Sequence, residues 1–307
     1  MEYVSLHHHS TFSYGDGFGL PREHVEFAAS VGMTALALTE HGNTSSHVQL
    51  EKACKQFGIK PIYGVEGYIA KSEEQRKCHQ TILAMNQTGL ANLNRLVTQS
   101  WRDFYKWPTI YLKYLEQYND GLIVLSGCAD SQLSSTLLGG KYYGEKRLTY
   151  EEGHFKSACR LVRWFKNVLG DRYYIETQAF PDLKRTCILN QAFEKISNEC
   201  GVPLVATCDC HYLSPADNEI QKILHASHRG SSVSQVEASW EYDITLHIPE
   251  SDDEVWNRLS GTGLSDDACT EALLNTGRIA ARTGVYLPKV EPLTYPIQAE
   301  DWEPWVT

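Results

Sequence analysis

The sequence predicts an α/β fold in which a mostly parallel sheet curls into a seven-stranded barrel with helices outside it. Short apolar runs, typical of strands buried on both faces, alternate with segments of helical periodicity. Repeated strand–helix alternation implies parallel strands joined by right-handed crossovers. Seven such strands fit a closed or nearly closed (β/α) barrel better than an open sheet. A chain of 307 residues is long enough for a barrel, which needs about 250.

The strands are predicted from runs of aliphatic, aromatic and β-branched residues, at 3–9, 34–39, 61–70, 81–85, 121–128, 173–176 and 202–211. Helices are predicted between them, at 20–30, up to 57, 90–101, 131–138, 154–169 and 188–200. From about residue 217 the pattern changes, and helices at 217–228 and 267–282 flank a strand-like run at 245–248. We therefore expect a single domain over 1–307, with a barrel core at about 1–230 and C-terminal helical and extended elements at 231–307.

Composition limits the class of protein. Hydrophobic residues make up 42% of the chain and charged residues 21%, as in a soluble globular protein. No stretch approaches the ~20 apolar residues of a membrane span, and the N-terminus does not resemble a signal peptide. The nine cysteines have no framework spacing, which indicates a reducing compartment such as the cytoplasm. Because the net charge is −10 and no basic block stands out, a nucleic-acid substrate would have to be held by metal ions or by a partner.

Polar side chains gather at the ends of the predicted strands. His7 and His9 lie two apart in the first strand and therefore share a face, an arrangement typical either of a metal site or of a polar strand end. Six further residues lie in the loop after this strand, late in another strand or at the end of one: Asp16, Glu66, His41, Cys128, Asp209 and His211. Since the carboxyl ends of barrel strands meet at one mouth, these side chains are expected to converge. His79 begins its strand, so a purely parallel barrel does not explain how it would reach the mouth.

Imidazole, carboxylate and thiolate groups together suit zinc, and the carboxylates also accept manganese or iron. Nine candidate ligands exceed the four to six that one ion needs, so two or three divalent ions with shared ligands are expected. Such a cluster can generate hydroxide near neutral pH and can hold both the attacking and the leaving oxygen of a phosphodiester.

Five motifs at these positions resemble, in order, those of the PHP (polymerase and histidinol phosphatase) family. They are Leu6-His7-His8-His9-Ser10, Thr39-Glu40-His41-Gly42-Asn43, Gly64-Val65-Glu66, Leu125-Ser126-Gly127-Cys128 and Asp209-Cys210-His211-Tyr212-Leu213. The resemblance covers roughly residues 3–296 and is strongest to the PHP domains at the N-terminus of bacterial C-family replicative polymerases. Glu40 stands where the family usually has Asp, and we expect it to support the metal ligands.

The resemblance implies a distorted seven-stranded barrel with a trinuclear centre of zinc, manganese or iron. The ligands that it implies are His7, His9, Asp16, His41, Glu66, His79, Cys128, Asp209 and His211. The implied activity is a 3′→5′ exonuclease of the proofreading type, acting on single-stranded or frayed DNA in a bacterial or phage-infected cell. The chain stops at Thr307, where a polymerase would continue, so we expect either a separately encoded module or a fragment.

Alternatives remain open. The same centre could act as a phosphatase on a small phosphomonoester, or the chain could be a non-catalytic module that scaffolds a polymerase through its Pro- and Trp-containing tail from Val285. Arg76 and Lys77 are candidate substrate contacts, and Glu176 could contact substrate or support the ligands. His225 and His228 could line the mouth, although a solvated helix face is favoured. The aromatic residues between 101 and 118 are more typical of helix packing than of a base-stacking platform.

Overall fold

The computed structural model describes residues 1–72, 77–140, 147–238, 242 and 244–289. Its strands are β1 (Ala35–Leu38), β2 (Lys60–Ala70), β3 (Cys78–Ala84), β4 (Thr109–Tyr111), β5 (Leu122–Leu125), β6 (Tyr173–Gln178) and β7 (Leu204–Thr207). Its helices are α1 (Pro21–Ser30), α2 (His47–Phe57), α3 (Gln87–Arg102), α4 (Leu112–Gln117), α5 (Gln132–Leu138), α6 (Glu152–Leu169), α7 (Lys184–Cys200), α8 (Asn218–Arg229), α9 (Val233–Glu237), α10 (Asp252–Gly261) and α11 (Asp266–Arg282). The α/β class and the strand–helix alternation are confirmed, whereas α4, α9 and α10 were not predicted.

The strands lie in the order β1-β2-β3-β5-β6-β7, and the short β4 pairs with β2. β1 with β2, β5 with β6 and β6 with β7 are parallel pairs. β3 runs antiparallel to both of its neighbours, and Tyr68, late in β2, lies opposite His79. The beginning of β3 therefore lies at the rim where β2 and β5 end, which explains how His79 reaches the mouth.

The N-terminal segment closes the barrel, although it is not the regular strand that the sequence predicts. Single parallel bridges join Ser5 to Leu36 in β1 and His8 to Cys210 after β7. The amide of Ala37 donates to the Ser5 carbonyl over 2.9 Å, and the amide of His9 donates to the Cys210 carbonyl over 2.7 Å. The chain bends at His7, which interrupts the alternation of side chains, so that Leu6 packs inside the barrel and His7 also faces inward.

The barrel interior is layered. Alternate strand residues form a small apolar cluster at one end, together with two residues of α11; the cluster includes Val4, Leu6, Ala35, Ala37, Ile62, Leu83, Ile123, Leu125, Val205, Ile279 and Ala280. The other strand residues face outward and pack against the helices in a second, larger cluster. Following the period of two, Glu66, Thr81 and Glu176 are further inward positions of β2, β3 and β6. An apolar base thus supports a polar layer, above which the strand ends form the mouth.

The C-terminal part is mainly helical. α11 packs on β7, and the side-chain amide of Asn275 in α11 donates to the Leu204 carbonyl over 2.7 Å. The strand-like run predicted at 245–248 makes one isolated bridge, between His247 and Tyr212. The predicted tail beyond Lys289 lies outside the described residues. Among the helices of the described ranges, none combines the length and the apolar character needed to cross a bilayer.

Candidate metal centre

The structure brings all nine candidate ligands into one connected cluster at the mouth of the barrel. They come from the N-terminal segment, the loop that follows it, and the rim ends of β1, β2, β3, β5 and β7. Each side chain lies near at least one other member, and three carboxylates, those of Asp16, Glu66 and Asp209, connect the imidazoles. The convergence predicted from strand ends is therefore present in the fold.

Glu66 lies at the centre of the cluster and is 2% exposed. Its Oε1 lies 2.9 Å from His79 Nδ1, 3.3 Å from His7 Nε2 and 3.7 Å from the Cys128 thiol. Burial alone would raise the pKa of this carboxyl, but the imidazoles of His79, His41 and His7 outweigh it and hold the pKa well below its ordinary value. Glu66 is therefore a buried carboxylate anion that needs nearby positive charge.

Asp209 reaches the cluster through an unusual backbone conformation. β7 ends at Thr207, and Asp209 has φ +45°, in the left-handed region that few residues other than glycine adopt. The turn places Asp209 Oδ1 3.3 Å from His7 Nε2 and 3.5 Å from His9 Nε2, while Gln178 donates to Oδ2 over 3.0 Å. Asp209 and His211 do converge, but through this turn and not through the strand alternation that the sequence suggested.

Asp16 is held from two sides. Its Oδ2 lies 3.0 Å from His41 Nε2 and 3.4 Å from His211 Nε2. Its Oδ1 accepts hydrogen bonds from His225 Nε2 over 2.6 Å and from Gln221 over 2.9 Å. Desolvation would raise the pKa of Asp16, but His211 and the other imidazoles lower it below its ordinary value.

His225 is buried, so the preference for a solvated face at this position is wrong. Its Nδ1 also contacts the Tyr242 hydroxyl. Gln221 and His225 are four residues apart and lie on the same face of α8, a spacing that is visible in the sequence. What the sequence did not indicate is that this face packs on a loop more than 200 residues away.

Five buried atoms at the centre of the cluster form no hydrogen bond, although they lie within ion-pair distance of one another, as His41 Nδ1 does of Glu66 Oε2 at 2.5 Å: His7 Nε2, His9 Nε2, His41 Nδ1, Glu66 Oε2 and Asp209 Oδ1. Unpaired buried polar atoms are costly and rare in native proteins. Six residues of the cluster, some of them outside this set, offer ligand atoms in overlapping groups in which all atoms lie within 4.8 Å of one another: His9, His41 and His211; His7, His9 and Glu66; His41, Glu66 and His79. Nitrogen and oxygen donors in this arrangement fit divalent metal ions.

Glu176 lies behind His7 and is buried. Its Oε1 accepts from His7 Nδ1 over 2.6 Å and from the Thr207 hydroxyl over 2.7 Å, and its Oε2 lies 3.2 Å from both the Thr81 hydroxyl and the Gly127 amide. Both oxygens are thus engaged by protein donors, which fits a residue that orients His7 and does not fit direct contact with substrate.

Glu40 has the corresponding place behind His9. It accepts from the hydroxyls of Ser10 and Ser13, each over 2.6 Å, and Ser13 Oγ lies 2.8 Å from His9 Nδ1. Because Ser13 donates its proton to Glu40, it accepts from His9 Nδ1 and leaves His9 Nε2 directed into the cluster. Burial and the neighbouring His41 and His211 lower the pKa of His9 to about 3, so this ring is neutral, as a metal ligand must be.

The two basic candidates for substrate contact differ in what the structure describes. Lys77 donates to the backbone carbonyls of Tyr105 over 2.8 Å and Trp107 over 3.4 Å, so it holds the loop that follows α3. Arg76 lies outside the described residues.

Comparison with known proteins decides the family. The family model described as PHP domain matches residues 5–179, more than half of the chain. The chain belongs to the PHP domain family. The resemblance inferred from the five motifs is therefore confirmed.

Among curated relatives, the DNA polymerase III subunit alpha of Borreliella burgdorferi is 31% identical over 292 residues, which are 91% of this chain and 23% of that protein. The subunit alpha of Treponema pallidum is 32% identical over 95% of this chain and 24% of that protein. This PHP chain thus spans about a quarter of the length of these relatives. A solved structure assigned as a metal-dependent phosphoesterase, from Bifidobacterium adolescentis, is 12% identical with a TM-score of 0.41 and covers 68% of this chain and 87% of its own.

Proposed function

We propose that this PHP chain is a metal-dependent phosphoesterase that acts as a 3′→5′ exonuclease on DNA, with three divalent ions held by the nine clustered residues. The observation that carries the proposal is the set of buried nitrogen and oxygen atoms at the mouth that form no hydrogen bond. Three overlapping ligand groups support a centre of more than one ion. The donor types are compatible with zinc, manganese or iron.

The charged groups of the mouth are compatible with bound cations. Asp16, Glu66 and Asp209 all have pKa values held below the ordinary range, against the effect of their burial, so each carries a negative charge. Burial lowers the pKa values of His7, His41 and His211, but the neighbouring carboxylates outweigh it and raise them, so protons on these rings balance the carboxylates and divalent ions would have to displace those protons. Divalent ions bound here would supply the positive charge and would lower the pKa of a coordinated water to near neutrality.

The side chains behind the ligands fix the geometry of the reaction. Glu176 and Glu40 orient the rings of His7 and His9, and Gln178 orients Asp209. Gln221 and His225 hold Asp16 Oδ1, which leaves Oδ2 directed at His41 and His211. Because these hydrogen bonds are formed within the protein, the ligand atoms do not need to reorganise when substrate arrives.

A polymerase context is supported by the relatives, each of which is a DNA polymerase III subunit alpha. We propose that a polymerase partner docks on the C-terminal region from Val285 and that the chain works in the cytoplasm of a bacterial or phage-infected cell. Removing residues 285–307 should abolish association with the polymerase in a pull-down experiment, and association that survives the deletion would exclude this docking site.

The test of the main proposal pairs elemental analysis of the purified protein with digestion of single-stranded DNA labelled at either end. Wild type, Asp209→Asn and the exposed control Asp267→Asn are compared. About three ions per chain and shortening from the 3′ end, retained in the control and lost in Asp209→Asn, are expected. A protein that binds no metal and cleaves no ester would instead be a scaffold for a polymerase.

A phosphatase acting on a small phosphomonoester is the second candidate, favoured by the net charge of −10 and the lack of a basic block in the sequence. The same metal centre could catalyse that hydrolysis. Release of phosphate from small monoesters without shortening of labelled DNA would replace the exonuclease proposal with this one.

A further inference from the structure

Four large aromatic side chains at the end of α3 and just after it are exposed: Trp101 (51%), Phe104 (49%), Tyr105 (72%) and Trp107 (45%). We refer to these four residues as the aromatic platform. The sequence predicted that the aromatic residues between 101 and 118 pack against the protein. This is correct for Tyr111, which is buried, and for Tyr114 and Tyr118, which pack on the core, but it is wrong for the platform. A cluster of exposed rings on a soluble domain marks a binding surface more often than a defect of packing.

The platform is continuous with the metal centre. The ring of Trp107 lies 5.0 Å from that of Tyr68, and Tyr68 in turn lies 5.4 Å from His79 and 6.3 Å from His41. The Trp101 indole N–H donates to the carbonyl of Gly42, next to His41, over 2.8 Å. A ligand with one end in the mouth can therefore extend directly over these rings.

The platform is also held in shape. The rings of Trp101 and Phe104 are stacked, with centroids 5.4 Å apart and planes within 8° of each other. Lys77 binds the carbonyls of Tyr105 and Trp107, and these two residues form an antiparallel bridge. A binding surface that is already ordered loses less conformational entropy when its ligand arrives.

The local charge is positive on a chain that is acidic as a whole. Residues 101–107 contain Arg102 and Lys106, both exposed, against the single acid Asp103. The Lys106 ammonium lies 5.4 Å from the centre of the Tyr105 ring. Rings interleaved with cations provide faces for stacking bases together with partners for the backbone phosphates.

We propose that the aromatic platform binds the unpaired bases of a single-stranded nucleic acid whose terminal phosphodiester lies at the metal centre. Stacking accepts every base, as an exonuclease that removes successive nucleotides requires. A small phosphomonoester would fill the mouth alone and would leave four exposed rings without a ligand. The proposal rests on the proposed nuclease function and adds to it the site that holds the strand.

The test measures binding of a fluorescent oligothymidylate by anisotropy, without added divalent metal so that the strand is not cleaved. Tyr105→Ala and Phe104→Ala should each weaken binding about 5-fold or more, whereas Tyr105→Phe and Phe104→Tyr should bind as wild type does. Tyr286→Ala is the matched control, because Tyr286 is 64% exposed but lies at the far end of β3, beside Gln87. Circular dichroism shows whether each variant is folded.

Two further measurements make the result decisive. A strand of the same length without bases should bind weakly and equally to wild type and to both alanine variants, since it offers nothing to stack. Equal binding of the two strands by wild type, or unchanged affinity in the alanine variants, would overturn the proposal. Hydrolysis of bis(p-nitrophenyl) phosphate with metal present, measured for wild type and for the control Tyr286→Ala, tests the proposed function separately. A wild type that binds the oligonucleotide but does not hydrolyse this ester would refute the phosphoesterase and leave the binding result intact.

Discussion

The three consecutive histidines near the N-terminus have two different roles. His7 and His9 direct Nε2 into the metal centre, whereas His8 lies on the other side of the segment. The Nδ1 of His8 is 2.9 Å from the Ser5 hydroxyl and its Nε2 is 2.7 Å from His24 Nδ1. Burial, reinforced by His24, keeps the pKa of His8 well below its ordinary value, so this pair of rings is neutral. One histidine therefore anchors the segment that presents the other two.

Replacing Glu176 by glutamine should weaken metal binding. The substitution removes the negative charge that orients His7 through Nδ1, and losses of a partner behind a ligand typically cost 10–100-fold in metal affinity. We expect a loss of about that size, measured by equilibrium dialysis with elemental analysis. Glu152→Gln, at an exposed residue that pairs with Lys156, should bind metal as wild type does. Equal affinity in Glu176→Gln would mean that His7 needs no such support.

The candidate ligands could be identified from the sequence because they lie in, late in or next to runs that it predicts as strands, and such runs are visible in the hydrophobic pattern. The residues behind them were only partly accessible. Glu40 and Glu176 were candidates for support, but which rings they orient depends on contacts across the barrel. His225 was considered for the mouth but a solvated face was favoured, because nothing local indicates that α8 packs against the Asp16 loop.

At the scale of single elements, the direction of β3 could have been predicted. Only residues 71–77 separate β2 from β3, whereas a crossover between parallel strands needs a dozen residues or more. The short connection therefore required an antiparallel pair, and with it the placement of His79 at the rim. The bend at His7 had no such signal, since the residues around it read as an uninterrupted strand.

The packing of α3 on the barrel depends on a glycine. A Cβ at Gly89 would lie 1.8 Å from the carbonyl oxygen of Gly121, which is backbone and cannot move aside cheaply. Gly89→Ala should therefore lower the free energy of unfolding by about 1–3 kcal/mol in urea denaturation. Gly153 in α6 has no neighbour within 4 Å of such a Cβ, so Gly153→Ala should raise the free energy of unfolding by about 1 kcal/mol. Similar stabilities of the two variants would contradict this packing.

His47 ties α2 to β2 and should make stability depend on pH. Burial lowers its pKa to about 4, although the Gly64 carbonyl, 2.9 Å from Nε2, acts in the opposite direction. A folded-state pKa below the ordinary 6.5 means that the contribution is present above pH 6.5 and is lost as the pH falls towards 4. Between pH 7 and pH 5 wild type should lose about 2 kcal/mol more than His47→Gln in urea titrations. If wild type and His47→Gln lost the same stability over this pH range, His47 would be protonated equally easily in the folded and the unfolded chain.

At the scale of the whole molecule, the candidate metal centre and the closure of the barrel are the same feature. The N-terminal segment joins β1 to the chain after β7 through single bridges and contributes His7 and His9. The other ligands come from the paired strands around the ring, so the cluster connects these strands to the N-terminal segment, which isolated bridges join to its neighbours. The general barrel followed from the repeated pattern in the sequence, but this closure depends on contacts between residues about 200 positions apart.

Metal binding should accordingly stabilise the entire fold. A ligand that binds only the folded chain, present at 100 times its Kd, adds about 2.7 kcal/mol, which for a domain of this size raises Tm by roughly 5 °C. We expect that rise when chelator-treated protein is reloaded with Mn²⁺ or Zn²⁺ and followed by scanning calorimetry. Asp209→Asn should show a much smaller rise and Asp267→Asn the full one. If chelation left Tm unchanged in wild type, the five buried atoms at the mouth that form no hydrogen bond would have to be satisfied without metal, and the closure of the barrel would not depend on it.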